Sequence, residues 1–245
     1  MTQPFVAPFK RSMEIEGEPI FLKFVLDGSG SMNGIKRELI DSFNRDCLGA
    51  LHAVNSKERA CIRASGAVFS DGYQDLWYGY RMLPELIAAP VQLSQVDGPG
   101  LGLGTALYAA TLKGYGQLVE ASTRFAGTLN KWARAKLVVM TDGANNRDPV
   151  DENEVHKVIT WKERGVTVQK LLFYFKTEDG LDKVTFGRNS ARCGFDETFF
   201  LDEHSTDPQS LQHAIRTAMK LMSEASLNRT SPGFQRFTQA ELLRW

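Results

Sequence analysis

Three oxygen-bearing side chains stand at alternate positions in Phe21–Met32, read FLKFVLDGSGSM: Asp27, Ser29 and Ser31. An apolar run leads into them, and Gly28 and Gly30 separate them. In an extended segment alternate residues face the same side, and the glycines let the backbone curl around a small object. Carboxylate and hydroxyl oxygens, with no thiol or imidazole beside them, suit a hard cation such as Mg2+. The plain alternative is a Ser/Gly turn in which Asp27 caps the next helix, because short Asp/Ser/Gly patterns are frequent in turns.

Two further segments favour the cation. Leu101–Ala106, LGLGTA, places Thr105 at the start of an expected helix. Leu137–Gly143, LVVMTDG, is a second apolar strand, and it ends in Asp142. The candidate ligand set is therefore Asp27, Ser29, Ser31, Thr105 and Asp142. Two aspartates balance a divalent charge, and three neutral hydroxyls leave the metal electron-poor. Such a metal still attracts one more oxygen, and Mg2+ keeps exchangeable positions in its octahedral shell.

The ordered set Asp-x-Ser-x-Ser, Thr, Asp resembles the metal ion-dependent adhesion site (MIDAS) of the von Willebrand factor type A (VWA) domain family. DGSGSM and TDG read like the family's own words, and the resemblance covers residues 19–228. It implies a bound divalent cation, Mg2+ or else Mn2+ or Ca2+. It implies that Ser29 and Ser31 touch the metal directly, that Thr105 moves on or off it with conformational state, and that the aspartates act partly through water. It also implies that a Glu or Asp of a protein partner completes the coordination sphere. The small single-domain form resembles intracellular bacterial VWA proteins of the tellurite-resistance-like and MoxR-associated kind, so the expected partner is a protein such as an AAA+ ATPase of the MoxR type. An extracellular or surface adhesion domain is the alternative setting.

Two enzyme or cofactor readings compete. A metal-assisted hydrolase of phosphate esters needs a base or nucleophile beside the metal. Ser29 and Ser31 are better used as ligands, Asp148 reads as a helix cap, and no His is near in sequence. A nucleotide site is suggested by GPGLGLGT at 98–105, but a P-loop needs Gly-Lys-Ser/Thr, and no Lys is there. The expectation is a binding module without catalytic residues.

Positioning the five oxygens requires strands that end where ligands bind. The expected strands are 20–27, 60–69, 76–80, 136–141, 166–175 and 198–201, with 60–69 and 76–80 close enough only for an antiparallel hairpin. Helices are expected over 34–55 and 105–125, from Asp148-Pro149, near 181–190 and from Asp207-Pro208. Tyr108, Leu112, Tyr115 and Val119 share a face of the second. This alternation predicts a doubly wound α/β fold, Rossmann-like: a mostly parallel six-stranded sheet with one antiparallel edge strand and helices on both faces. Residues 1–18 read as an arm, 19–228 as the VWA-like domain, and 229–245 as a tail carrying Phe234, Phe237 and Trp245.

Composition bounds the rest. Hydrophobic residues make up 42% of 245, enough for a sizeable core. Lys+Arg and Asp+Glu both number 29, so nothing favours nucleic acid or a membrane surface as partner. Cys47, Cys61 and Cys193 are odd in number and form no Cys-x-x-Cys, which fits a reducing, cytoplasmic setting. The N-terminal residues show neither a secretory pattern nor a membrane span.

Overall fold

The computed structural model describes residues 18–97, 101–129, 132–142, 148, 150–161, 165–175, 182–201, 208–227 and 235–244. Its strands are β1 (Ile20–Asp27), β2 (Ile62–Phe69), β3 (Tyr73–Asp75), β4 (Arg81–Met82), β5 (Ala133–Thr141), β6 (Val166–Phe175), β7 (Glu197–Leu201) and β8 (Gln235–Thr238). They form one sheet in the order β3-β2-β1-β5-β6-β7-β8, with β4 also on β2. Strands β2, β1, β5, β6 and β7 are parallel. Antiparallel strands close both edges. No helix among the described residues is long and apolar enough to cross a membrane.

The mixed α/β sheet is the expected fold class, and the expected limits of β1 and β6 coincide with the observed ones. Three details differ. The expected strand 76–80 is instead the bulge between β3 and β4. Leu76 and Trp77 turn into the core there, and the Trp77 ring packs where Gly66 carries no side chain, 2.7 Å from an added Cβ. The Trp77 indole N–H then donates to the Ala89 carbonyl at 2.7 Å, while the Leu76 N–H still donates to the Gly66 carbonyl of β2 at 2.9 Å. The segment expected as a tail supplies β8, which pairs antiparallel with β7, so among the described residues the sheet has eight strands rather than six. The N-cap of the helix after β5 is Asp151, whose Oδ1 accepts from the Asn153 and Glu154 N–H groups, and not Asp148.

The helices are α1 (Lys36–Ser42), α2 (Gly49–His52), α3 (Ser56–Cys61), α4 (Leu83–Ala88), α5 (Leu93–Val96), α6 (Leu107–Leu129), α7 (Glu152–Ile159), α8 (Lys183–Cys193), α9 (Pro208–Ser226) and α10 (Gln239–Leu242). A π-helical turn, Phe43–Leu48, joins α1 to α2. Every residue of β1 is buried, as a central parallel strand with helices on both faces requires. Leu22, Phe24 and Leu26 face α9 and the π-helical turn, with Phe43, Phe173 and Met219. Phe21 and Val25 face α6, with Leu118, Phe125 and Val139. Before the terminal Asp27, Lys23 is the polar exception: its Nζ donates to Asp75 Oδ1 at 2.9 Å and to Ser65 Oγ at 3.2 Å.

Helix α6 matters most to the site, because Thr105 precedes it. Its most buried line runs through Leu107, Ala110, Thr111, Leu118 and Ser122, while Tyr108, Leu112 and Val119 flank that line. The small side chains let α6 lie close to the sheet. At Gly114 an added Cβ would stand 2.7 Å from Val25 Cγ2, whereas at Gly116 it would meet nothing within 4 Å. Gly116→Ala is therefore expected to stabilise the protein by up to about 1 kcal/mol, the helix-propensity gain. Gly114→Ala is expected to destabilise it by about 1–3 kcal/mol through overpacking, in spite of the same gain. Urea unfolding of both variants checks the opposite signs.

Candidate metal centre

The sheet topology brings the two aspartates together. Strand β1 lies between β2 and β5, and the chain leaves it first to one side and later to the other. In open α/β sheets this switch point is the crevice where ligands bind, at the carboxyl ends of the strands. Asp27 is the last residue of β1, and Asp142 follows the last residue of β5, the strand beside it.

A chain of hydrogen bonds then links four of the five expected residues. The Ser29 N–H donates to Asp27 Oδ1 at 2.8 Å, bending the loop back over the carboxylate. Ser29 Oγ and Ser31 Oγ are 3.0 Å apart. The Ser31 hydroxyl donates to Asp142 Oδ1 at 2.9 Å. Asp27, Ser29 and Asp142 are buried, and Ser31 is exposed, so the cluster opens to solvent on the Ser31 side.

Thr105 is also buried, and its loop is fastened to the others through the backbone. The Gly30 N–H donates to the Leu103 carbonyl at 3.0 Å, and the Ala106 N–H to the Ser70 carbonyl at 2.8 Å. Gly102 adopts φ +71, a left-handed conformation that favours glycine. It brings the Leu103 N–H to Asp71 Oδ2 at 3.2 Å. These contacts leave the Leu103 side chain 72% exposed at the rim.

Among the described residues, the electrostatics of the site are those of two buried carboxyl groups. Burial pushes the Asp27 carboxyl above the ordinary range, against hydrogen bonds from Thr141 and Ser29. Burial first, and then the neighbouring Asp27 carboxylate, push Asp142 up to about 7. Asp142 Oδ2 is buried without a hydrogen-bond partner among the described residues. A buried, unpaired carboxylate oxygen beside a second buried carboxylate is costly, and a divalent cation satisfies both. The all-oxygen donor set fits Mg2+, Mn2+ or Ca2+. Among the described residues no cluster of three His, Cys, Asp or Glu forms a rival site.

Sequence reasoning missed one supporting residue, Thr141. Thr141 donates its hydroxyl to Asp27 Oδ2 at 2.6 Å. The pairing of Leu26 with Met140 puts Thr141 level with Asp27, so the signal existed in the strand register alone. Asp148, the candidate base of a hydrolase, is engaged elsewhere: its Oδ2 accepts from the Ala109 N–H at 2.6 Å. Asn145, Asn146 and Arg147, expected at the rim, lie outside the described residues.

No family model matches the sequence, and no curated protein matches it. Solved structures do match in fold. A von Willebrand factor type A protein from Catenulispora acidiphila aligns with 84% of the chain at TM-score 0.53 and 12% identity. The pilus adhesin SpaC from Lactobacillus rhamnosus GG, in its open conformation, aligns with 86% at TM-score 0.60 and 13% identity. Proximal thread matrix protein 1 from the mussel byssus, with a zinc-occupied MIDAS motif, aligns with 84% at TM-score 0.51 and 15% identity. The chain spans only 43%, 30% and 48% of these three proteins. At these identities the likeness defines the architecture: the fold is the Rossmann-like fold seen in VWA domain structures.

Proposed function

We propose that this protein is a metal-dependent protein-binding module. Asp27, Ser29, Ser31, Thr105 and Asp142 would hold a divalent cation, and that cation would accept a carboxylate from a Glu or Asp of a partner. The observation that carries this reading is the orphaned, buried Oδ2 of Asp142, next to Ser31 and the buried Asp27. The metal, when bound, supplies the Lewis acidity that a carboxylate ligand needs. The chain itself does the rest. Thr141 and the Ser29 N–H orient Asp27, the bonds to Gly30 and Ser70 hold the Thr105 loop, and Leu103 offers an apolar contact beside the opening.

The three described cysteines are free thiols and buried, which favours an intracellular setting over a cell-surface one. A cytoplasmic AAA+ ATPase of the MoxR type is the partner class we propose to test first. An affinity capture from native lysate, with wild type and Asp27→Ala, each in Mg2+ and in chelator, tests the module. A protein retained by wild type in Mg2+ alone is the expected result. The same proteins captured in all four conditions would sink the metal-dependent reading. Leu103→Ala is expected to release the captured partner while Mg2+ binding persists.

A further inference from the structure

Helix α6 begins at Leu107 after Ala106, a residue with no side chain able to cap it. The first N–H groups of a helix need acceptors, and a carboxylate also complements the helix dipole there. For the Ala109 N–H the acceptor comes from a distant segment. The Ala109 N–H donates to Asp148 Oδ2 at 2.6 Å. The other oxygen, Asp148 Oδ1, accepts from the Val150 N–H at 3.2 Å, which fixes the carboxylate on its own strand of chain. Asp148 follows Asp142 shortly in sequence, and Ala109 lies one helical turn beyond Thr105. One carboxylate thus ties the segment that begins at Asp142 to the helix that begins after Thr105.

The other side of that helical turn is held by the Ala106 N–H on the Ser70 carbonyl at 2.8 Å. Asp148 and Ser70 thus both anchor the start of α6. We infer that Asp148 is a positioning residue of the metal centre: by holding the first turn of α6 it sets where the Thr105 hydroxyl stands relative to Asp27 and Asp142, and so sets affinity for the cation. This rests on the reading that the five oxygens hold a divalent metal. Asp148 is not itself one of the five proposed ligands, and both its oxygens accept from backbone N–H groups.

The test is a double-mutant cycle read by calorimetric titration with Mg2+ alone at pH 8, using wild type, Asp148→Ala, Thr105→Ala and the double variant. Asp148→Ala is expected to weaken Mg2+ binding about tenfold, in the range typical of groups that orient metal ligands. In the Thr105→Ala background the same change is expected to have no further effect, because its route to the metal is gone. Asp148→Asn keeps a carbonyl acceptor and is expected to restore most of the affinity. It also carries the comparison if Asp148→Ala fails to fold. Amide exchange at Ala109, measured in chelator, is expected to speed up in Asp148→Ala and much less in Asp148→Asn.

Wild-type affinity in Asp148→Ala would overturn the inference. So would an equal loss in both backgrounds, the signature of a cap that only stabilises the fold. If wild type binds Mg2+ and Thr105→Ala does not weaken it, the inference falls while a metal site survives. If wild type binds no metal, both readings fall.

Discussion

Asp142→Asn is expected to weaken Mg2+ binding by more than about 100-fold, beyond the range for groups that only orient ligands, and to leave the metal-free protein at least as stable as wild type. The first half follows from removing one of the two anionic ligands of the proposed site. The second follows from the metal-free electrostatics. Two carboxyl groups are buried side by side, each raised by burial, and Asp142 is raised further by Asp27. Asparagine keeps an oxygen to accept from the Ser31 hydroxyl, which donates to Asp142 Oδ1 at 2.9 Å, and it removes the repulsion. Functional sites commonly carry such a trade of stability for binding. Titration with Mg2+, together with thermal unfolding in chelator at pH 8, checks both halves. A variant that lost stability and kept its metal affinity would contradict the electrostatic account of the site.

A strong pH dependence of the metal-free protein is the second expected result, and bound metal is expected to erase or reverse it. In the metal-free fold Asp142 titrates at about 7, above its ordinary range, and Asp27 is shifted in the same direction. A carboxyl raised in the folded state contributes stability below its unfolded pKa and loses it as pH rises through the folded value. The melting temperature in chelator should therefore fall between pH 5.5 and pH 8. Metal binding needs the deprotonated carboxylates, so Mg2+ and protons compete. Mg2+ affinity should then drop about tenfold or more per pH unit below 7. Saturating Mg2+ should erase or reverse the decline in melting temperature toward pH 8. In Asp142→Asn the pH dependence of the metal-free protein should flatten. A flat profile in wild-type protein would show that the two carboxyls are better solvated than their burial indicates.

Much of this molecule is legible in its residues, for physical reasons that differ from element to element. The limits of β1 and β6 coincide with expectation because a central parallel strand buried on both faces is written as a near-continuous apolar run. Part of the candidate site is legible because Asp-x-Ser-x-Ser places three oxygens in one local stretch. The hairpin after β2 was readable from the short spacing, which allows no parallel crossover. Its pairing residues were not. Leu76, Trp77 and Tyr80 have the composition of a strand, and the vacancy at Gly66 that accepts the Trp77 ring exists only once β2 lies beside them. In the same way, Gln235–Thr238 became β8 because the edge of β7 was open to it. Nothing local in a four-residue segment signals that.

The site divides along the same line. Asp27, Ser29 and Ser31 are joined by neighbouring backbone, so their types and spacing determine their convergence. Thr141 and Asp148 are determined by register and by the packing of α6. Thr141 reaches Asp27 because β5 pairs with β1, and Asp148 accepts from the Ala109 N–H in the first turn of α6 while Asp151 caps α7. Local chemistry therefore named the candidate ligands, while the residues that aim and hold them follow from long-range hydrogen bonds, whose partners only the assembled sheet and its helices bring within reach.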